Sequence, residues 1–246
     1  TLFRSKAVYG MEEFKRILSM PNILQIIHSD GWKFIAIFAA VAYIMAMINP
    51  NLGWIGALLT MWCMYFFRNP PRTVPQREGL LVSPADGIVC QITTVVPSID
   101  LDMGETPRTR VSIFLNVFDV HVNRVPIAGT VHKVIYHEGQ FLNASFDKAS
   151  EKNERNTVVL DTIDGHRVAF VQIAGLIARR IRCDVTPLEA VETGQVFGLI
   201  RFGSRMDVYL PEGMEPLVVE GQRMVAGETI LLDINNPEPA RRGIKR

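Results

Sequence analysis

The sequence has 246 residues, of which 48% are hydrophobic, and its 26 basic and 25 acidic residues give a formal net charge of +1. This length and apolar content suffice for one domain with a full core and an appendage. The near-neutral charge excludes the basic surface with which nucleic-acid-binding proteins attract their ligand, so we predict no nucleic-acid partner.

The cysteines and histidines show no metal-site or disulfide pattern. Cys63, Cys90 and Cys183 are widely spaced, odd in number and form no C-x-x-C pair. The five histidines include no H-E-x-x-H or similar ligand spacing. The sequence therefore predicts a reducing compartment and no bound metal.

The N-terminal part contains two uncharged apolar runs, residues 34–48 and 52–67, separated only by Asn49-Pro50-Asn51. As helices they would be about 22 and 24 Å long, somewhat less than the ~30 Å hydrocarbon core of a bilayer. Because the proline interrupts the first helix, the pattern predicts a helical hairpin that dips into or crosses a membrane. A buried hairpin in a soluble protein is the alternative.

Basic residues lie on both sides of this hairpin, whereas its connecting loop is uncharged; they are Lys15, Arg16, Lys33, Arg68, Arg72 and Arg77. The positive-inside rule therefore places both flanks in the cytoplasm, and we predict a protein of the cytoplasmic (inner) membrane. Upstream, the apolar residues of segment 11–18 recur at helical spacing. This spacing indicates an amphipathic helix, either at the membrane surface or packed on protein.

The remaining chain has short β-rich runs separated by glycine, proline and Asp-Gly pairs. Segments 157–160 and 167–173 flank Asp164-Gly165 as a predicted hairpin. Further strands are predicted at 88–95, 111–117, 130–136, 195–202, 207–210 and 229–233. The pattern predicts a mainly β (α+β) fold, in which a membrane-anchoring segment (1–75) precedes a compact, mostly antiparallel sandwich or barrel-like domain (76–246).

Three short segments, residues 83–87, 118–124 and 202–205, could carry chemistry. Asp86, His121 and Ser204 together supply an orienting carboxylate, a base and a nucleophilic hydroxyl. Taken singly, each has an ordinary structural interpretation: a turn aspartate, a strand-end histidine and a Gly-Ser turn or bulge. A serine hydrolase is one interpretation of the set, although no G-x-S-x-G elbow surrounds the serine.

In combination, the motifs of this chain resemble those of phosphatidylserine decarboxylases of the short, membrane-anchored bacterial type. The resemblance covers essentially the whole chain and rests on S-P-A-D-G (83–87), N-V-F-D-V-H-V-N-R-V-P (116–126), K-A-S-E-K-N-E-R-N (148–156), A-G-L-I-A-R-R-I (174–181) and R-F-G-S-R (201–205). It implies a proenzyme that cuts itself between Gly203 and Ser204. The resulting β chain (1–203) and α chain (204–246) would stay associated.

The resemblance also implies a covalent cofactor, a pyruvoyl group formed from Ser204. The serine would attack the carbonyl of Gly203, which glycine leaves unshielded, and elimination of the resulting ester would lead to the pyruvoyl group. This group would form a Schiff base with the amine of phosphatidylserine and hold the electrons released with carbon dioxide, giving phosphatidylethanolamine. Asp86 and His121 are the candidate bases, and His121, with an ordinary pKa near 6.5, is the candidate acid.

The chain departs from longer family members at two places. Arg124 stands where they have the second histidine of an H-x-x-H motif, and F-G-S-R replaces their L-G-S-T. Either His121 therefore serves both proton transfers, or Asp86 acts with another partner. Arg124, His121 and Arg205 are candidate substrate-binding residues, and a structural role is the alternative for Arg124.

Other interpretations stay open at this point. Arg179, Arg180 and Arg182 could face anionic lipid heads or form a solvated charged surface. The glycine-punctuated strands of segment 189–233 also suit a membrane-tethered β-rich carrier or binding module. The sequence leaves a homo-oligomer open.

Overall fold

The structure is a computed structural model that describes residues 26–139, 153–175, 180–201 and 204–244. It begins with two antiparallel helices, α1 (Gly31–Ile48) and α2 (Pro50–Phe66). The Asn49 side chain caps α2 by accepting a 2.8 Å hydrogen bond from the Asn51 N–H, and Pro50 occupies the first turn, where its missing N–H is not needed. The predicted helical hairpin is confirmed. The predicted amphipathic segment 11–18 lies outside the described residues.

Small residues let the two helices pack closely. A Cβ on Gly56 would lie 2.6 Å from Ala42 Cα, and a Cβ on Gly53 would lie 2.6 Å from the Ala46 Cβ. Such close approach is typical of helix pairs in membranes. By length and composition α1 is apolar enough to cross a bilayer, with 18 residues and a mean hydropathy of 1.9.

The rest of the described chain is β-rich, and every strand pair is antiparallel. The strands are β1 (Leu80–Val82), β2 (Gly87–Val95), β3 (Arg108–Leu115), β4 (Val122–Arg124), β5 (Gly129–His137), β6 (Arg155–Thr162), β7 (Arg167–Ala174), β8 (Ile181–Cys183), β9 (Ala190–Val191), β10 (Val196–Ile200), β11 (Ser204–Tyr209), β12 (Arg223–Met224) and β13 (Ile230–Asp233).

The strands form three sheets around an apolar core. The main sheet has the order β12-β2-β3-β11-β7-β6-β5-β9, a second has the order β4-β10-β8, and β1 pairs with β13. Together they make an antiparallel half-barrel, so the predicted fold class is confirmed. The predicted hairpin is also confirmed: β6 pairs with β7, and Gly165 has the positive φ (+80°) that the turn requires.

Two strand ends near the candidate residues differ from the prediction. The alternation of apolar residues predicts a strand over 111–117, but the strand ends at Leu115. It ends there because Asn116 begins a turn that side chains stabilise. The Asn116 side chain accepts from the Phe118 N–H at 2.7 Å, and Asp119 accepts from the Asn116 N–H at 2.8 Å. In the other direction, β11 begins at Ser204, three residues before the predicted strand.

An apolar cluster joins the base of the hairpin to the half-barrel. Phe66 and Phe67, at the end of α2, are fully buried against Val120, Val122 and Leu199. The last turn of α2 is therefore part of the same core as the loop before β4. This packing places the helices directly beside the candidate catalytic segment 118–124.

Candidate active site

Ser204 lies at the first position of the central strand β11. Its register partners are Leu115 and Ala174, the last residues of β3 and β7. The side chain is buried, and its Oγ has no hydrogen-bond partner among the described residues. Leaving a buried polar group unpaired costs about 1–3 kcal/mol, so this arrangement is typical of a functional position. Gly203 lies outside the described residues.

Asp86 lies at the same end of the main sheet, directly before β2. β2 is two strands from β11, or about 10 Å at the usual strand spacing. The next residue, Gly87, has a φ of +150°, and a Cβ there would lie 2.2 Å from the Phe114 carbonyl oxygen. Only glycine allows this close approach to β3, which fixes the position of Asp86.

The Asp86 carboxylate binds a partner that sequence reasoning missed. Its two oxygens accept hydrogen bonds from Arg72 Nη2 at 2.9 and 2.8 Å, and Oδ1 also accepts from the Ala226 N–H at 2.8 Å. Arg72 belongs to the segment that leaves the hairpin. Its position directly after Asn69-Pro70-Pro71 was the sequence feature that could have indicated a contact with the half-barrel. Asp86 is thus engaged by Arg72 and Ala226, whereas the ring of His121 is oriented by a different group.

His121 is fully buried, and its tautomer is set by the main chain. Nδ1 lies 3.0 Å from the carbonyl oxygen of Asp119. Because a carbonyl can only accept, Nδ1 carries the proton and Nε2 keeps its lone pair. Nε2 is buried and has no hydrogen-bond partner in the described part of the chain.

The base of the hairpin forms one wall around this histidine. The Phe66 ring packs on the imidazole, with ring centroids 4.3 Å apart. Burial is the main cause that lowers the pKa of His121 to about 4. The ordinary pKa near 6.5 expected from the sequence is therefore wrong for His121 in this environment. The contact with Phe66 was not predicted, because the hydropathy pattern of the helix does not distinguish Phe66 from its apolar neighbours.

Two chain connections hold His121 and Ser204 at the same end of the main sheet. The His121 carbonyl accepts from the Ile200 N–H at 3.3 Å, four residues before Ser204. In the other direction, loop 116–120 leads from Leu115, the register partner of Ser204, to His121. The Asp119 carboxylate braces this loop by accepting from the Asn116 N–H and from Arg223. No hydrogen bond joins the His121 and Ser204 side chains in this uncut chain.

The two arginines predicted to bind substrate already have partners inside the protein. Arg124 donates to the Gly194 carbonyl (2.9 Å), Asn69 Oδ1 (2.9 Å) and the Pro70 carbonyl (3.2 Å). These bonds hold the exit of the hairpin against the half-barrel. The geometry therefore favours the structural alternative for Arg124.

Arg205 is almost completely buried and donates to Asp207 at 2.6 and 2.9 Å and to Ser112 Oγ at 3.0 Å. Neighbouring residues of a strand point to opposite faces, so Arg205 faces away from Ser204 and from the core residue Met206. The structure does not bring the Arg205 guanidinium together with the candidate catalytic groups.

The predicted lipid-facing arginines have different environments. Arg180 is exposed, and Arg179 lies outside the described residues. Arg182 donates to Asp30 at 2.5 Å and to Asp184 at 2.6 Å. Arg201 also donates to Asp30, at 2.6 Å, so this carboxylate ties the start of α1 to β8 and to the end of β10.

Comparison with known proteins identifies the family. Residues 59–232 match the family model described as phosphatidylserine decarboxylase. The chain belongs to this family. It is 56% identical to the phosphatidylserine decarboxylase proenzyme of Cereibacter sphaeroides over 227 aligned residues. The alignment covers 92% of this chain and 98% of that protein.

Two further relatives carry the same name. The protein from Paramagnetospirillum magneticum is 54% identical, with 88% of this chain and 90% of the relative covered. The protein from Rhodospirillum rubrum is 53% identical, with 91% and 95% covered. As a member of this family the chain is a carboxy-lyase made as a proenzyme and dependent on a serine-derived pyruvoyl group. This assignment does not support the carrier-module or serine-hydrolase interpretations.

The residues at the end of the main sheet fit a serine-derived group. Ser204 supplies a buried hydroxyl, and His121 supplies a buried nitrogen with a free lone pair, both without partners among the described residues. No group of three or more potential metal-binding side chains lies together in the part of the chain that the structure describes.

Proposed function

We propose that this chain converts phosphatidylserine to phosphatidylethanolamine and carbon dioxide at a site built around Ser204 and His121. In this proposal, Ser204 is the source of the pyruvoyl group, and the chain is cut between Gly203 and Ser204. The observation that carries the assignment is the pair of buried atoms Ser204 Oγ and His121 Nε2, neither of which has a hydrogen-bond partner among the described residues, at one end of the main sheet.

Self-cleavage begins when Ser204 Oγ attacks the carbonyl carbon of Gly203. Nε2 of His121 accepts the hydroxyl proton and passes it to the leaving nitrogen as the peptide C–N bond breaks, so that an ester links the two residues and the amino group of Ser204 is freed. Removal of the Ser204 Cα proton then expels the Gly203 carboxylate and leaves dehydroalanine. Water converts this residue to the pyruvoyl group with release of ammonia.

We assign both proton transfers to His121 rather than to Asp86. The Asp86 oxygens already accept three hydrogen bonds, from Arg72 and from the Ala226 N–H. In this arrangement Asp86 holds the exit of the hairpin against the half-barrel. His121, by contrast, has a lone pair on a buried nitrogen without a described partner.

The low pKa of His121 suits this double role. With a pKa of about 4 the imidazole is neutral at physiological pH, so the form that accepts a proton is always present. Once protonated in its buried position, the ring is a strong acid and readily returns the proton. Phe66 maintains this behaviour by excluding water from one face of the ring.

The pyruvoyl group that Ser204 would provide would supply a ketone for the substrate amine and a sink for the electron pair released with carbon dioxide. The residues of the chain position the headgroup, exclude water and return a proton to the substrate carbon. Decarboxylation consumes one proton, and His121 delivers it after Nε2 has taken it up from solvent. The buried aromatic side chains Phe66 and Phe67 keep bulk water out on the helix side.

We also propose that the hairpin associates with the cytoplasmic membrane and that the half-barrel lies on its cytoplasmic side. The outer surface of the hairpin is apolar, with Tyr43, Met47 and Trp54 each about 70–77% exposed. Basic residues flank the hairpin on both sides. Because the base of the hairpin packs beside His121, the site lies at the depth of a lipid headgroup, and the acyl chains can stay in the bilayer.

Substitution of the serine tests this assignment. In wild-type protein, mass spectrometry is expected to find fragments 1–203 and 204–246, the second with a blocked, borohydride-reactive N-terminus. Ser204→Ala should give an intact chain without decarboxylase activity, because it lacks the attacking oxygen. The exposed Ser98 provides the control, and Ser98→Ala should mature normally. Active wild-type protein that consists only of intact chain would contradict the proposal.

A further inference from the structure

Another buried polar atom near Ser204 and His121 lacks a hydrogen-bond partner in the described part of the chain: Nδ2 of Asn123. Asn123 is fully buried in β4, two residues after His121, and this amide nitrogen has no hydrogen-bond partner among the described residues. His121 immediately precedes β4, so the Asn123 side chain lies within two residues of the candidate base. Sequence reasoning did not single out Asn123, since an asparagine in a strand has many structural roles.

A chain of buried amides fixes which end of Asn123 is the donor. Gln172 Nε2 donates to Asn123 Oδ1 at 2.9 Å and to the Arg182 carbonyl oxygen at 3.2 Å. Because a main-chain carbonyl can only accept a hydrogen bond, the Gln172 atom at this position must be the donor nitrogen. The Asn123 atom that it contacts must therefore be the acceptor oxygen. Gln172 Oε1 in turn accepts from Asn156 Nδ2 at 3.1 Å. All donors therefore point in one direction, from Asn156 to Asn123, and the last donor, Asn123 Nδ2, has no acceptor among the described residues.

Close packing around Gly198 leaves room for these amide hydrogen bonds. Gly198 lies opposite Asn123 in the sheet, and a Cβ there would lie 2.1 Å from the Arg182 carbonyl oxygen and 3.1 Å from Gln172 Nε2. Gln172 lies on the same face of β7 as Ala174, the register partner of Ser204. The amide chain thus connects the interior face beside Ser204 to β4, the strand that follows His121.

We propose that Asn123 Nδ2 binds the carboxylate of the serine headgroup, an inference that rests on the site proposed around Ser204 and His121. An unpaired buried donor is costly, and an incoming carboxylate oxygen would satisfy it. A neutral donor also suits the reaction. The carboxylate loses its charge as carbon dioxide leaves, so a guanidinium would stabilise the bound substrate more than the transition state. The arginines considered for this role, Arg124 and Arg205, are already paired.

The test separates binding of the carboxylate from maturation and from binding of the amine. Asn123→Ala removes the donor, and Asn123→Leu removes it while keeping the same number and branching of side-chain heavy atoms; both keep the Arg182 carbonyl as a partner for Gln172. We expect each variant to mature to the same extent as wild type. We expect kcat/KM for phosphatidylserine to fall about tenfold to a hundredfold, the usual effect of losing a hydrogen bond to a charged group.

Phosphatidylethanolamine provides the second readout, because it has the amine but no carboxylate. Trapping of this lipid on the matured enzyme with cyanoborohydride should stay within twofold of wild type in both variants. Asn236→Ala, at an exposed position, is the control for the substitution itself and should change nothing.

Three results would overturn the role of Asn123. They are a kcat/KM within twofold of wild type, an equal loss of phosphatidylethanolamine trapping, and failure of both variants to mature. The last would assign Asn123 to folding or self-cleavage. Failure of the proposed function is distinguishable, since it would appear in the wild-type protein as an active chain without fragments.

Discussion

At the scale of single residues, the decisive feature is a histidine that is kept neutral by its surroundings. A general base works in its unprotonated form, and burial lowers the pKa of His121 to about 4. Self-cleavage should therefore proceed at a constant rate between pH 6 and 8 and slow only below about pH 5. The measurement is the conversion of freshly synthesised uncut chain to fragments after a pH jump.

Phe66 provides the comparison for this pH profile. In Phe66→Ala, water reaches the imidazole, the pKa moves towards 6.5, and self-cleavage at pH 6 becomes slower than at pH 8. The exposed Phe118, three residues before His121, serves as a control, and Phe118→Ala should keep the flat profile. A wild-type rate that rises through pH 6.5 would show that His121 is not the buried base described above.

A second residue-scale prediction concerns the buried ion pair of Arg205 and Asp207. Asp207→Asn removes the carboxylate charge beside the Arg205 guanidinium, in a site where both residues are about 1% exposed. Removing one partner of a buried pair typically costs about 3–5 kcal/mol. Denaturant unfolding in detergent micelles should show a large loss in free energy of unfolding.

The exposed pair of Glu238 and Arg241 is the matched control. Glu238→Gln should cost less than about 1 kcal/mol, because solvent screens surface ion pairs. Equal effects of the two substitutions would mean that Arg205 does not depend on Asp207.

The residues proposed to react were predictable from the sequence, whereas their partners were not. Ser204 and His121 stand in short, unusual motifs. The groups that decide their behaviour, Phe66 and the Asp119 carbonyl, come from a helix and a loop whose contacts exist only after folding. Arg205 illustrates the same limit: its position next to Ser204 suggested substrate binding, but the alternation of β11 turns it to the opposite face.

At the scale of elements, the close packing of α1 and α2 supports the site. Gly56→Leu would drive a side chain into the Ala42 backbone, where a Cβ alone would lie at 2.6 Å from Cα. The helices must then separate, and the position of Phe66 at the end of α2 changes with them. We expect a lower melting temperature and slower self-cleavage, measured by thermal unfolding in micelles and by gel analysis.

Ala39→Leu adds the same side chain at an exposed position of α1 and should leave both properties unchanged. If Gly56→Leu behaved like this control, the close helix contact would not be needed for the site.

Element type was easier to predict than element ends. Two uncharged apolar runs with a proline between them leave little choice but a helical hairpin, and alternation around Asp164-Gly165 indicates paired strands. The ends at Leu115 and Ser204 were missed for physical reasons. The first depends on side-chain bonds in the Asn116 turn, and the second on pairing with β3 and β7, neither of which is visible in local periodicity.

At the scale of the whole molecule, the hairpin should be needed for catalysis as well as for membrane binding. Replacing α1 and α2 by a short Gly-Ser linker removes Phe66 from the His121 ring. Such a protein should fail to mature and should be inactive even on detergent-dispersed phosphatidylserine. Gel analysis and an assay in micelles check this expectation.

The contrasting variant changes Tyr43, Met47 and Trp54 to serine on the exposed side of the hairpin. It should bind liposomes less tightly but still mature, because the contact with His121 is unchanged. If the linker protein matured and was active in micelles, the hairpin would serve membrane binding alone.

The strand that begins at Ser204 is held on both sides, by β3 and β7, while β12 and β13 pair with β2 and β1. The short fragment left by the proposed cleavage therefore supplies an interior strand (β11) and the edge strand β12 of the main sheet, and one strand of the two-stranded sheet, so it cannot leave without breaking these pairings. If the reactive N-terminal group of this fragment is damaged, the fragment cannot be exchanged for an undamaged one. Under this proposal, each molecule forms its reactive group once, and activity lost through damage to that group is restored only by newly synthesised protein.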